Sequence, residues 1–253
     1  MREKHWAWLL TDEVSVLRGL SNGVNRFLGA VFGMKVVTTD QLTVNRHWIN
    51  QTLYFQRLFN LIREVPGDIV ECGVAWGVSL AQLALLLTED STLRHIWGFD
   101  SFSGLPHITK EDLATADPLY SVKSKGGINI KEETAKVTVA KFGFDKYFIS
   151  QKITLVKGWF EDTLPAYRGD AIAFLHLDPD LYESYKTALH CLWPKVQTGG
   201  VVSLDAYHNT DILPGCKKAV DEYFNGRDDV ILYKDRYFNR YYAVKQTAHN
   251  KSM

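Results

Sequence analysis

Cysteine is scarce in this chain, and charge of neither sign is in excess. The three thiols, Cys72, Cys191 and Cys216, stand at spacings that match neither a disulfide framework nor a metal-ligand motif. That usage predicts a reducing, cytoplasmic setting. Lys and Arg together number 29, as do Asp and Glu, so the formal net charge is zero. The basic excess of a dedicated nucleic-acid binder is therefore missing. No apolar run approaches the roughly 20 residues that a membrane span needs. Arg2, Glu3 and Lys4 are soon followed by Asp12 and Glu13, which is not the form of a secretory signal. Internal repeats and low-complexity tracts are absent as well.

What is present is 253 residues, 46% of them apolar, enough for a sizeable core in one α/β domain with an extension. Residues 1–50 stand apart. Leu10, Val14, Leu17, Val24, Leu28 and Val31 recur at helical spacing, broken by Gly19, Gly23, Gly29 and Gly33. This predicts a helical N-terminal extension packed on the main domain or on a second subunit, and with it a homodimer. The alternative is an interfacial membrane helix carried by Trp6, Trp8, Phe27 and Phe32, which lacks a strong basic face.

Residues 51–253 read as one domain in which helix and strand signals alternate. Leu53, Phe55, Leu58, Phe59, Ile62 and Val65 form an apolar stripe, so 51–65 is a predicted helix stopped by Pro66-Gly67. Strands are predicted at 68–72, 95–100, 153–157, 172–178 and 201–205, and helices at 78–87, 131–142, 183–193 and 215–225. Two late β-rich runs, 229–233 and 239–244, form an antiparallel pair. The alternation implies a Rossmann-like, doubly wound α/β fold, its sheet mostly parallel with an antiparallel C-terminal strand. Residues 107–130 show little periodicity and are expected to form a lid over the substrate, with Tyr120 as a contact.

Three predicted strands end in an acid, Asp100, Asp178 and Asp205, and the first carries Glu71 beside its end. In an open parallel sheet the ligand crevice lies at the carboxyl ends of the strands. One such residue would read as a helix cap, but four from four strands point to a site. Glu71-Cys-Gly-Val-Ala-Trp-Gly77 joins the first strand to its helix, and Gly73 and Gly77 allow a tight turn and a close ligand. The third glycine of the dinucleotide fingerprint is missing, and no Arg or Lys in the turn awaits a phosphate. Asp100 at the next tip suits ribose hydroxyls, so a nucleoside bearing an amino group fits better than NAD.

Several linked motifs resemble the macrocin O-methyltransferase (TylF-like) family. They are Glu71-Cys-Gly-Val, Gly98-Phe-Asp-Ser-Phe-Ser-Gly-Leu-Pro106, Val156-Lys-Gly-Trp-Phe-Glu-Asp-Thr-Leu-Pro165, Leu177-Asp-Pro-Asp-Leu-Tyr-Glu-Ser184, Gly199-Gly200 before Asp205, and Gly215-Cys-Lys-Lys-Ala-Val220. The resemblance covers residues 51–245. It implies a class I methyltransferase fold and transfer of a methyl group from S-adenosylmethionine to a hydroxyl, typically on a sugar of a glycosylated small molecule. By the same resemblance Glu71 and Gly73 border the donor's methionine part, Asp100 and Ser101 meet the ribose, and Gly158 and Trp159 lie near the adenine, with Gly77 also counted to the donor site. Asp178 and Asp205 become ligands of Mg²⁺, with Asp178 also lining the donor site, and Asp180 becomes the base. The chain departs from the family at Asp205-Ala206-Tyr207, where Asp-Asp-Tyr is usual, so one metal ligand is missing. Pro179 and His176 replace a usual glycine and arginine. His208 follows closely, as substitute ligand, as base, or as a plain loop residue. Two other readings stay open: a donor-binding protein without catalysis, and an NAD-dependent oxidoreductase on the same sheet.

Overall fold

The structure, a computed structural model, describes residues 45–90, 92–112 and 129–248. The predicted extension up to residue 44, and Tyr120 with most of the predicted lid, lie outside the described residues.

The first helix, α1 (Arg46–Leu61), starts five residues earlier than its apolar stripe suggests and buries Gln51, Tyr54, Phe55, Leu58 and Phe59. Those positions recur at three- and four-residue spacing and form one face. Its C-terminal end is held by the buried Arg94. The guanidinium donates to the carbonyls of Ile62, Val65 and Gly67 at 2.7–2.8 Å and to the Asp90 carboxylate at 2.6 Å, satisfying acceptors at the close of the helix.

The remaining elements follow in order. They are β1 (Asp68–Cys72), α2 (Val78–Thr88), β2 (Ile96–Asp100), α3 (Glu132–Lys141), α4 (Lys146–Lys152), β3 (Ile153–Lys157) and α5 (Phe160–Thr163). Then come β4 (Ile172–Leu177), α6 (Tyr182–Leu192), β5 (Val196–Leu204), α7 (Pro214–Phe224), β6 (Val230–Lys234) and β7 (Tyr241–Lys245). The sheet runs β3-β2-β1-β4-β5-β7-β6. Strands β1 to β5 are parallel, and β7 inserts antiparallel between β5 and β6. This is the doubly wound, mostly parallel arrangement that the alternating pattern predicts, and the class I methyltransferase fold that the resemblance implies.

Central strands buried on both faces read as apolar runs. β1 and β4 show this, every residue of β4 being buried. Helices α1, α2 and α3 cover one face, over Ile69, Phe174 and Val201. Helices α6 and α7 cover the other, over Val70, Leu175 and Val202. Strand β5 begins five residues before the predicted 201. Its first half holds Gly199 (φ 81°) and Gly200, and its pairing with β4 is irregular between Ile172 and Phe174, so the glycines left outside the predicted strand form a bulge inside it. No helix among the described residues is long and apolar enough to cross a membrane.

Candidate functional site

The order of strands reverses between β1 and β4, which opens a crevice at their carboxyl ends. Backbone hydrogen bonds continue past the last strand residues and lock the tips together. Gly158 N–H donates to the Asp100 carbonyl (3.0 Å), Gly73 N–H to Phe99 (2.9 Å), Asp178 N–H to Cys72 (2.9 Å) and Asp205 N–H to Leu177 (3.0 Å). The residues that follow β3, β1, β4 and β5 are thereby stepped along one rim. Asp100, Asp178 and Asp205 stand on that rim, with Glu71 one residue inside it.

Gly73 sits at the seam. Its φ is 92°, and a Cβ there would meet the Asp178 carbonyl oxygen at 2.2 Å. Only glycine allows both the dihedral and the approach. Gly77 (φ 77°) opens α2, and its Cβ would lie 2.8 Å from the Ala135 Cα in α3. Between them Ala75 is held at φ 44°, a left-handed conformation few alanines adopt. Asp100 explains how that turn is kept. One carboxylate oxygen accepts the Ala75 N–H (2.9 Å) and the other accepts the Phe102 N–H (2.7 Å). Each oxygen retains a lone pair for a ligand hydroxyl. Ser101 builds the same turn, its hydroxyl donating to the Gly104 carbonyl (2.7 Å) and accepting the Ser103 N–H (3.1 Å). Gly158 (φ 148°) lets β3 end against Thr163, and the carbonyl of half-buried Trp159 accepts the Thr163 N–H at 3.0 Å.

Glu71 is fully buried, and among the described residues neither carboxyl oxygen has a hydrogen-bond partner. Burial pushes its pKa up to about 8, the negative Asp100 adds to the rise, and the Ser79 hydroxyl, near but outside hydrogen-bonding geometry, opposes it. Glu71 pairs in register with His176, and His176 with Ser203. The three form a polar row beneath α1. His176 Nδ1 lies 3.3 Å from the Ser203 hydroxyl, and Nε2 is buried without a partner. Burial lowers the His176 pKa to about 4, so the ring is neutral at pH 7. The Tyr54 hydroxyl, 3.3 Å from Ser203, donates to the Tyr241 carbonyl at 3.1 Å and closes the row.

The tips of β4 and β5 carry the remaining acids. Among the described residues the Asp178 side chain accepts no hydrogen bond. Its pKa stands well above the usual carboxylate value, first through burial and then through the charges of Asp205 and Asp180. Asp180 follows Pro179 in a left-handed conformation (φ 60°). Asp205 is engaged: the Arg240 Nε–H donates to its Oδ1 at 3.0 Å. Burial raises the Asp205 pKa, but Arg240 and then His176 overcome it and hold the group below the ordinary value. Arg240 also donates through Nη1 to His208 Nε2 at 2.8 Å. His208 Nδ1 lies 3.1 Å from the Asp205 carbonyl and 3.3 Å from the same Nη1; the shorter Nη1–Nε2 contact suits the tautomer protonated on Nδ1.

This arrangement corrects the expected Mg²⁺ site. A guanidinium holds the Asp205 Oδ1, the His208 Nε2 lone pair is taken, and buried Ala206 offers no side-chain oxygen. Among the described residues no three His, Cys, Asp or Glu side chains are grouped to hold a metal ion. The donor set does not fit Mg²⁺. Arg240 was invisible in the sequence because it comes from the β6–β7 turn, 35 residues from Asp205. The one trace it left is Ala206, a position that resemblance would fill with acid. Ala75 and Phe102 gave no signal of their own, and His176 stood out only as a departure from a usual arginine.

The profile of the macrocin O-methyltransferase (TylF) family matches residues 55–230. The chain belongs to that family. A demethyldecarbamoylnovobiocin O-methyltransferase of Streptomyces niveus is 34% identical over 172 residues, 66% of this chain and 63% of that protein. The mycinamicin III 3''-O-methyltransferase of Micromonospora griseorubida is 30% identical over 177 residues, 68% of this chain and 66% of that protein. The chain thus spans 63% and 66% of the length of these two curated relatives. The solved structure of the O-methyltransferase NovP superposes with a TM-score of 0.63 at 28% identity, covering 79% of this chain and 81% of that one. CalS11, a calicheamicin methyltransferase, shares the fold at a TM-score of 0.69 and 24% identity, over 88% of this chain and 91% of that one. In this macrocin O-methyltransferase family member the matched span runs from α1 to the start of β6 and so includes every strand tip of the rim.

Proposed function

We propose that this chain transfers the methyl group of S-adenosylmethionine to a hydroxyl on a sugar of a small glycosylated molecule. The observation that carries the reading is the rim itself: a tight glycine turn, an orphaned buried carboxyl and a backbone-anchored aspartate within one crevice. The residues suit the donor. Glu71 lacks the partner that an amino group supplies, Gly73 and Gly77 leave room for a ligand, and Asp100 has lone pairs for two adjacent hydroxyls. Relatives support the acceptor class. One is named for action on a dimethoxy-rhamnosyl tetracenomycin, and one solved neighbour is titled a TDP-rhamnose methyltransferase.

When bound, S-adenosylmethionine supplies a sulfonium-borne methyl whose carbon–sulfur bond breaks as the oxygen–carbon bond forms, leaving a neutral thioether. The chain's task is alignment and proton removal. Asp178 takes the proton of the acceptor hydroxyl. Among the described residues no hydrogen bond is made to its carboxyl, and burial beside Asp205 and Asp180 raises its proton affinity above that of an ordinary carboxylate, which favours a base. Asp180, behind Pro179, shapes the approach. The free thiols of Cys72, Cys191 and Cys216 support a cytoplasmic setting, and the homodimer expected from the N-terminal segment belongs to the same reading.

Calorimetric titration tests it. The donor and its thioether product should bind below millimolar concentration and NAD should give no heat. Asp178→Asn should keep donor binding and lose methyl transfer to glycosylated acceptors. Heat with NAD and none with the donor would replace this reading by the oxidoreductase.

A further inference from the structure

We propose that the Arg240 guanidinium is the resident cation of this site, standing where a divalent metal would otherwise sit, and that the protein works without metal. The inference rests on the reading above for the identity of the site, and on geometry for the rest. Asp178 and Asp205 directly follow β4 and β5, Asp180 lies two residues beyond Asp178, and the charges of Asp205 and Asp180 both reach Asp178. Acids so placed call for a counter-charge. Arg240 provides it through a charge-assisted bond to Asp205 (3.0 Å) and a second bond to His208 Nε2 (2.8 Å), while its guanidinium carbon lies 4.8 Å from the centre of the Phe238 ring. Its side chain is 12% exposed, against 20% for Asp205. A pair this sheltered is screened less by salt than a surface pair.

The delivery of Arg240 is itself built. The Asp235 N–H donates to the Arg240 carbonyl at 2.7 Å and closes the β6–β7 turn. The Asp235 carboxylate accepts the N–H groups of Tyr237 (2.9 Å) and Phe238 (2.7 Å). It also accepts two bonds from Arg57 of α1, at 3.0 and 2.8 Å. Asn239, just before Arg240, is held at φ 50°. On the other side Ala206 is buried in the core, its N–H 3.4 Å from the Tyr185 hydroxyl. The position of the missing ligand is thus apolar, and the position of the cation is filled by a braced side chain. A guanidinium stays charged at every working pH and is not removed by chelation. It also binds in a plane, so it fixes the Asp205 carboxylate and the His208 ring together, where a metal would fix ligands around a point. Arg240 is a positioning residue in this scheme: it sets the rim on which Asp178 acts.

The test is metal uptake by the full chain, stripped with chelator and titrated with Mn²⁺ by electron paramagnetic resonance. This readout is independent of methyl transfer, and a parallel titration with the thioether product reports separately on the donor reading. Wild type should take up no Mn²⁺ up to about 1 mM, the weak limit for carboxylate sites. Arg240→Gln combined with Ala206→Asp should bind Mn²⁺ at least about tenfold more tightly than wild type, because ligand charge count sets affinity. Arg240→Lys combined with Ala206→Asp keeps the charge and should remain close to wild type. Stoichiometric Mn²⁺ uptake by wild type, abolished by Asp205→Asn, would overturn the proposal. So would an unchanged Mn²⁺ affinity in a folded Arg240→Gln/Ala206→Asp protein. Should the variants not fold, the wild-type titration alone decides.

Discussion

Asp100 and Asp205 occupy matching places, each at the tip of a parallel strand, yet they are satisfied in opposite ways. Asp100 bonds two backbone N–H groups, one from its own turn and one from the turn after β1. Asp205 bonds a guanidinium brought in by the C-terminal hairpin. The β1–β2 half of the rim is thus organised by main chain, which suits a cofactor with fixed hydroxyls. The β4–β5 half is organised by side-chain charge, where one substitution changes what the rim accepts. Gly73 is the joint between the two, bonded to β2 through its N–H and packed on the Asp178 carbonyl through its missing Cβ.

Breaking the joint should have the largest effect. Gly73→Ala forces a Cβ against backbone at a left-handed dihedral, and a loss of about 4 kcal/mol or more in denaturant unfolding is expected. Glu71→Gln sharpens the contrast by pH. Glu71 has a folded pKa of about 8 against 4.5 for the free group. Its protonated form contributes stability that is fully present below 4.5 and lost as pH rises through about 8. The empty wild type should therefore lose a few kcal/mol between pH 5 and 8, at about 1.4 kcal/mol per unit. Glu71→Gln should flatten that profile, melt higher at pH 8 and bind the donor more weakly, as read by calorimetry. Asp100→Asn tests the main-chain half, since an amide nitrogen cannot accept the Ala75 N–H. Donor affinity should fall about 10- to 100-fold with the fold retained, a loss of about 1.4–2.8 kcal/mol. Arg57→Ala tests the charged half from a distance. The pair with Asp235 is partly exposed, so about 1 kcal/mol of stability is expected to go. The four variants rank the joint first and the remote brace last.

The fold was legible where burial is continuous. β1 and β4 are buried along almost their whole length, and their apolar runs ended at the acids that define the rim. The same reasoning stopped short where a strand tolerates glycine, at Gly199 and Gly200. It also missed elements too short for a period, α4 and α5. Asp100, Asp178 and Asp205 were readable because topology alone puts strand ends on one edge. Arg240 was not, because no local pattern tells which residue of a hairpin turn will face a strand tip 35 positions earlier. The expected Mg²⁺ ligand set is not assembled among the described residues for that reason. Resemblance describes a set of ligands, and the residue that displaces a ligand set can come from outside the motif. His176 carries a similar lesson: an alternating strand position says buried, and only the register with Glu71 and Ser203 says among which neighbours.

Strand β7 seats itself between β5 and β6 although it is made last of the three. Translation delivers the acids of the rim long before it delivers residue 240. During that interval β5 is an open edge, and Asp205 has no guanidinium. One late insertion then covers the β5 edge and brings a counter-charge to Asp205 in the same event. Sheet closure and charge balance are in this way coupled in time, and a chain halted before the final hairpin would lack both.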